Sequence, residues 1–122
     1  MNRQGNQLPN NLPQLQNLIK RDAESYKEEF SQQLRHFNST LAVFELSPEK
    51  FNESLDELVM FLAQVAKCYQ EELSTFPTSL VSLLVRHSTV LHPNMRLSLC
   101  RALILLRYYL ARNLCLSCAL SF

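Results

Sequence analysis

Apolar residues recur at steps of three and four along most of the chain, which is the spacing of one face of an α-helix. One such series comprises Tyr26, Phe30, Leu34, Phe37 and Leu41. A later series comprises Leu55, Leu58, Val59, Leu62, Val65, Ala66 and Tyr69. Charged residues and glutamines fill most of the positions between them. Both segments are therefore predicted to be amphipathic helices with one buried face.

Capping and helix-breaking residues predict where the helices begin. Pro13 suits the first turn of a helix that runs to about Arg21, because its missing N–H needs no partner there. Asp22 is a favourable N-cap for the helix that carries the first apolar series, and Asn52 or Ser54 can cap the helix that carries the second.

Two further helices are predicted after the break at Phe76 and Pro77. The first runs from about Pro77 to His87, and Pro93 opens the second. The second is apolar nearly all round, which predicts cover on several sides. Its apolar residues are Leu97, Leu99, Cys100, Leu103, Ile104, Leu105 and Leu106. Arginines interrupt this run well short of the roughly 20 residues that a membrane span needs, so no membrane partner is expected.

The chain has a single glycine, Gly5. Phosphate-binding loops of the P-loop and Rossmann types need several glycines, so both are excluded. Short loops marked by proline predict antiparallel packing of neighbouring helices. The segment His92–Arg96, which leads into a leucine-rich helix, is typical of a HEAT-type repeat, in which each helix pair packs on the next. The predicted fold is all-α: antiparallel helix pairs in a HEAT/armadillo-like fragment.

Charge is divided unevenly along the chain. Residues 1–72 hold all eleven acids and seven of the twelve Lys and Arg residues, whereas residues 73–122 hold five arginines and no acid. A basic end favours contact with nucleic acid or an acidic partner. The alternative is that a shortened chain lacks acids that would balance it. Composition leaves both interpretations open.

The basic residues that are candidates for partner binding are Lys20, Arg21, Arg96, Arg101 and Arg107. On a helical wheel Arg96 and Arg107 lie about 20° apart, and Arg101 lies roughly 140° from Arg96. The arginines, Arg112 included, therefore form two clusters. Arg96 has a structural alternative, in which it reaches a neighbouring helix. Lys20 and Arg21 have one as well, because positive charge stabilises a helix C-terminus.

No residue pattern predicts catalysis, a metal or another cofactor. Cys115 and Cys118 form a CxxC without the second ligand pair that a zinc site requires. Cys100 lies in the most apolar helix, where burial is expected to make a thiol inert. Adjacent acids such as Glu71 and Glu72 do not face each other on a helix, so they make poor acid–base pairs. The chain is not expected to be an enzyme or to take a small-molecule substrate.

Several strings resemble the N-terminal portion of the Sda-type ("severe depolymerisation of actin") family, in order and over about residues 7–107. They are Asn11–Asp22, Ser25–Phe30, Glu57–Val65, Thr89–Pro93 and Arg101–Arg107. The resemblance implies a non-enzymatic helical-repeat scaffold of the nucleus and nucleolus, which acts in assembly of the large (60S) ribosomal subunit and in its nuclear export. The implied partners are proteins of the pre-60S particle. The alternative is an RNA-binding helical module that contacts ribosomal RNA through the basic second half.

The resemblance also divides the chain into three parts. Residues 1–11 are expected to be a disordered polar tail, residues 12–107 a helical domain, and residues 108–122 a divergent apolar tail. The tail departs from the family after Arg107, as an alternative C-terminus from splicing or a frame change would. We therefore expect a truncated isoform, and a third interpretation is that this short form misfolds and has no role of its own.

Overall fold

The computed structural model describes residues 11–114, with side chains to Arg107. Within this range the chain forms only α-helices and one short 3-10 turn, Ala66–Cys68, and no strand. The helices are α1 (Leu12–Arg21), α2 (Lys27–Phe44), α3 (Glu53–Val65), α4 (Phe76–Arg86) and α5 (Pro93–Leu114). The all-α prediction is confirmed. No helix in the described range is long and apolar enough to cross a membrane.

Helix α3 lies at the centre of the fold and packs against α1, α2 and α5. The residues of its predicted apolar series are all buried, including those that continue past its end. Phe61 and Ala63, which the series did not include, are buried as well. Helix α3 is therefore enclosed on most of its circumference, and the other helices are arranged around it.

Asparagine caps begin two of the helices. The side-chain oxygen of Asn11 accepts the N–H of Gln14 at 3.1 Å, and that of Asn52 accepts the N–H of Leu55 at 3.0 Å. Each cap satisfies one backbone donor that the first turn leaves without a partner. Of the two residues proposed to cap α3, the structure uses Asn52.

Asp22 does not cap α2, contrary to the prediction. Its carboxylate accepts the backbone N–H of Ser25 at 3.3 Å and the Ser25 hydroxyl at 2.7 Å. These local bonds close a turn, which competes with helix formation. Helix α2 therefore begins at Lys27.

The buried face of α2 also differs from the predicted series. Phe30, Gln33, Phe37 and Phe44 are buried, whereas Tyr26, Leu34 and Leu41 are half-buried. Two of the buried rings meet aromatic partners far along the chain. Phe30 stacks on Tyr69 with 3.9 Å between ring centroids, and Phe37 meets Phe76 edge-on at 5.3 Å. These contacts orient α2 toward the segment that follows α3.

The outer pair, α4 and α5, covers one side of the core. Helix α4 buries Phe76, Leu80 and Leu83, and α5 buries Met95, Leu99, Ala102 and Leu106. The opposite side of α5 is exposed: Leu97 retains 49% and Ile104 69% of its accessible surface. The predicted cover on several sides is wrong for this face.

The predicted division into three parts remains a prediction. Helix α5 continues past the expected boundary at residue 107 and runs through Leu114. Most of the predicted polar tail, residues 1–10, lies outside the described residues, and so do residues 115–122 of the predicted apolar tail.

Tyr69 connects the turn between α1 and α2 to the end of α3. Its ring is 4% exposed and stacks on Phe30, and its hydroxyl donates to the carbonyl oxygen of Ala23 at 2.7 Å. Burial raises the pKa of Tyr69 to about 12, and nearby negative groups, among them Glu72, contribute. The phenol is therefore held in its neutral, donating form at physiological pH.

This raised pKa predicts a specific loss of stability in alkali. A group whose folded-state pKa exceeds its unfolded value stabilises the fold fully below the unfolded pKa. For Tyr69 that contribution is present below pH 10 and is lost as the pH approaches about 12. Urea unfolding of the wild type and of Tyr69→Phe across this range measures it. The difference in unfolding free energy between them should shrink as the pH rises, and a constant difference would contradict the assignment.

Candidate partner-binding surface

A groove of about 380 Å³ lies between α4 and α5 on the outside of the fold. Its lining residues include Pro77, Val81, Leu103, Ile104, Leu106 and Arg107. Ile104 is 69% exposed and Val81 is 42% exposed, so both can lose accessible surface to a partner. We refer to this surface as the α4–α5 groove.

Two of the predicted arginines lie on the outer face of α5 beside Ile104. Arg101 and Arg107 are three residues before and three residues after Ile104, and both are exposed. At 100° per residue, each lies about 60° from Ile104, on opposite sides of it. An exposed apolar side chain therefore has a positive charge on either side. The wheel prediction compared arginines only with one another and did not identify this arrangement.

Arg96 lies elsewhere and holds the connection between α4 and α5. Its guanidinium Nη2 donates to the carbonyl oxygen of Ser88 at 2.6 Å, and its backbone N–H donates to His92 at 2.9 Å. Its wheel angle is close to that of Arg107, but eleven residues of helix separate the two by roughly 16 Å along the axis. Arg96 thus makes a structural contact, but with the loop after α4 and not, as the alternative expected, with a neighbouring helix.

Lys20 and Arg21 are in the last turn of α1 and do not line the α4–α5 groove. The ammonium of Lys20 donates to the side-chain oxygen of Gln64, on α3, at 3.4 Å. Both residues are exposed and carry positive charge at the negative end of the α1 dipole. Partner binding by this pair remains a prediction.

Three contacts fix the position of α4 and α5 against the rest of the fold. The guanidinium of Arg86 pairs with the Glu45 carboxylate at 2.6 Å, which joins the ends of α4 and α2. The N–H of His92 donates to the carbonyl of Pro48 at 3.3 Å. The hydroxyl of Ser98 donates to the carboxylate of Asp56, which joins α5 to α3. These contacts hold α4 and α5 near their connecting loop, and the α4–α5 groove lies toward the other end of the pair.

The described residues contain no cluster of three or more His, Cys, Asp or Glu side chains that could hold a metal ion. Cys68 is half-buried and Cys100 is exposed, and both are free thiols. The expectation that Cys100 is buried is wrong, because it lies on the outer face of α5. The side chain of Arg112 and the Cys115–Cys118 pair lie outside the described part of the chain.

The two environments of Arg96 and Arg101 predict different mutational costs. Arg96→Met should lower the free energy of unfolding by about 1–2 kcal/mol, because the Ser88 carbonyl loses a charge-assisted hydrogen bond. Arg101→Met, on the same helix and exposed, is the matched control and should change it by less than about 0.5 kcal/mol. Urea denaturation of both variants measures the contrast, and equal effects would argue against the structural role of Arg96.

Comparison with known proteins identifies relatives of this helical array. Residues 61–115 match a family model described as "SDA1, HEAT repeat". The match begins within α3, covers α4 and α5, and extends eight residues past Arg107, where the resemblance seen in the sequence was expected to end.

Individual relatives extend the similarity over more of the chain. The Protein SDA1 homolog of Xenopus laevis is 56% identical over 105 residues, which cover 86% of this chain and 15% of that protein. The homolog of Drosophila melanogaster is 59% identical over 102 residues, covering 84% and 14%. Protein sda1 of Schizosaccharomyces pombe is 37% identical over 83 residues, covering 68% and 12%. The chain thus spans 15% or less of the length of these relatives, and with its HEAT-repeat match it belongs to the SDA1 family.

Proposed function

We propose that this chain is a non-enzymatic scaffold of the SDA1 family that acts in assembly of the large ribosomal subunit and in its nuclear export. The observation that carries the proposal is 56% identity to an SDA1 homolog over 86% of the chain. The proposed site of action is the nucleus and nucleolus, and the proposed partners are proteins of the pre-60S particle. The proposed role is the one that the resemblance of the sequence to the Sda-type family implies.

The surface of the molecule supports a role in binding proteins. Helical-repeat proteins present an extended face to their partners, since each helix pair buries only the surface that meets its neighbours. Here α4 and α5 leave Val81, Ile104 and Leu97 exposed on the outside. Exposed apolar residues of this kind, beside polar ones, are typical of interaction sites. The α4–α5 groove is therefore the proposed contact surface.

Affinity purification from cells tests the proposal. A tagged form of the 122-residue chain should recover large-subunit precursor proteins above the level of the tag alone, as a full-length SDA1 protein does in parallel. The matched control is Leu99→Asp, which places a charge at a fully buried position of α5 and should abolish recovery by unfolding the chain. If the full-length protein recovers precursors and the short chain recovers none, the proposed role does not hold for this chain.

A second candidate is direct binding of ribosomal RNA. It is favoured by the five arginines and the absence of acids in residues 73–122. The structure weakens it in part, because Arg86 pairs with Glu45 and Arg96 with the Ser88 carbonyl. Arg101 and Arg107 are exposed on the outer face of α5 and are the arginines proposed for this role.

Measuring affinity for ribosomal RNA at two salt concentrations tests this candidate. Two phosphate contacts, one each for Arg101 and Arg107, predict a loss of roughly sevenfold between 50 and 200 mM salt. The double substitution of Arg101 and Arg107 by Glu should remove binding, whereas the same substitution of Lys20 and Arg21 serves as the matched control in the other half of the chain. Absence of binding at 50 mM salt, or equal loss in both variants, rules out the RNA interpretation.

A further inference from the structure

The α4–α5 groove has the chemistry of a site for one class of partner. We propose that it binds an amphipathic helix of another protein, one that carries acidic residues beside its apolar face. The proposal rests on the proposed scaffold function and specifies the type of partner that the scaffold receives.

The lining of the groove favours apolar side chains as occupants. Pro77 and Val81 of α4 and Leu103, Ile104 and Leu106 of α5 contribute to it. A volume of about 380 Å³ accommodates two or three large aliphatic side chains. Ile104 and Val81 would lose exposed apolar surface on binding. Burial of one such side chain strengthens binding by about tenfold or more.

The shape of the groove favours a helix as the occupant. It lies between two consecutive helices whose other sides are held by the core. A helix that lies along such a groove inserts residues at steps of three and four. Helix pairs in HEAT arrays pack on neighbouring pairs through faces of this kind. The family match covers both helices that form the groove.

The charge around the groove selects an acidic helix. Arg107 lines it, Arg101 lies on the other side of Ile104, and no acid occurs anywhere in residues 73–122. Carboxylates beside the apolar face of a partner helix would meet this positive edge, which gives orientation and a faster encounter. A second copy of this chain that docked through the same face would instead bring arginines against arginines.

The lining argues against RNA as the occupant. Unpaired bases are bound by stacking on aromatic side chains, and none of the described lining residues is aromatic. An apolar surface with Ile104 at its centre is a poor match for a phosphate backbone. RNA contact through Arg101 and Arg107 is one of the outcomes that the experiment below distinguishes.

Selection from a displayed library of amphipathic helical peptides tests the proposal, with the complete 122-residue chain as the target. Peptides selected above background should combine Leu, Ile or Phe at helical spacing with Asp or Glu beside them. Ile104→Asp should weaken a selected peptide by at least tenfold. Val85→Asp is the matched control and should bind as the wild type does, since Val85 is also 69% exposed but does not line the groove.

Reversing the charges of Arg101 and Arg107 gives a second readout. The Arg101→Glu, Arg107→Glu double variant should lose affinity for acidic peptides and gain affinity for the same peptides with Lys in place of Glu. All of the substituted positions are exposed, so the helical circular dichroism signal and the cooperative unfolding of each variant should match those of the wild type.

Several outcomes would overturn the proposal. They are a selection that yields no peptide, selected peptides without acidic enrichment, and equal binding to the Ile104→Asp and Val85→Asp variants. Ribosomal RNA binding that the double variant abolishes and Ile104→Asp leaves intact would assign the arginines to RNA instead.

The affinity purification of large-subunit precursor proteins tests this proposal and the scaffold function separately. If Ile104→Asp recovers pre-60S proteins as the wild type does, the groove proposal fails and the scaffold function stands. If the groove binds acidic peptides but the wild-type chain recovers no precursors, the scaffold function fails and the groove remains a helix-binding site.

Discussion

Burial of α3 is the interaction on which the rest of the structure depends. Its apolar residues face α1, α2 and α5, so three helices share a single apolar centre. Helix α1 illustrates the dependence. It has ten residues, too few to be stable as an isolated helix in water. It buries Leu15 and Ile19 against the core and is capped by Asn11, and these tertiary contacts compensate for its short length.

The exposed face of α5 is a consequence of the same arrangement. The side of α5 that faces the core buries Met95, Leu99, Ala102 and Leu106. Leu97 and Ile104 lie on the opposite side and are exposed. Isolated exposed apolar residues are common on soluble proteins, but here two helices bring theirs to one groove. The fold and the candidate site therefore have one physical origin. The described helices carry more apolar residues than their shared core buries.

The sequence was sufficient for the elements that local chemistry controls. The α3 series depends on spacing and was predicted. Its cap depends on one nearby side chain, and Asn52 was one of the two residues proposed for it. Three other features depend on distant residues. The face of α2 is set by Tyr69 and Phe76, which follow α3. The role of Arg96 is set by where the Ser88 carbonyl lies, and the exposure of Ile104 by what packs on α5. Helical-wheel angles contain none of this information.

Four side-chain contacts between distant parts of the chain span nearly the same distance in sequence. Arg86 and Glu45, Ser98 and Asp56, Lys20 and Gln64, and Tyr69 and Ala23 are separated by 41, 42, 44 and 46 residues. This interval equals the length of about one HEAT unit. During translation, at roughly 5–20 residues per second, each of these partners is made about 2–9 s after the residue it binds. Each of these contacts therefore waits seconds for its second residue, whereas helices adjacent in sequence, such as α2 and α3, have their packing partner earlier.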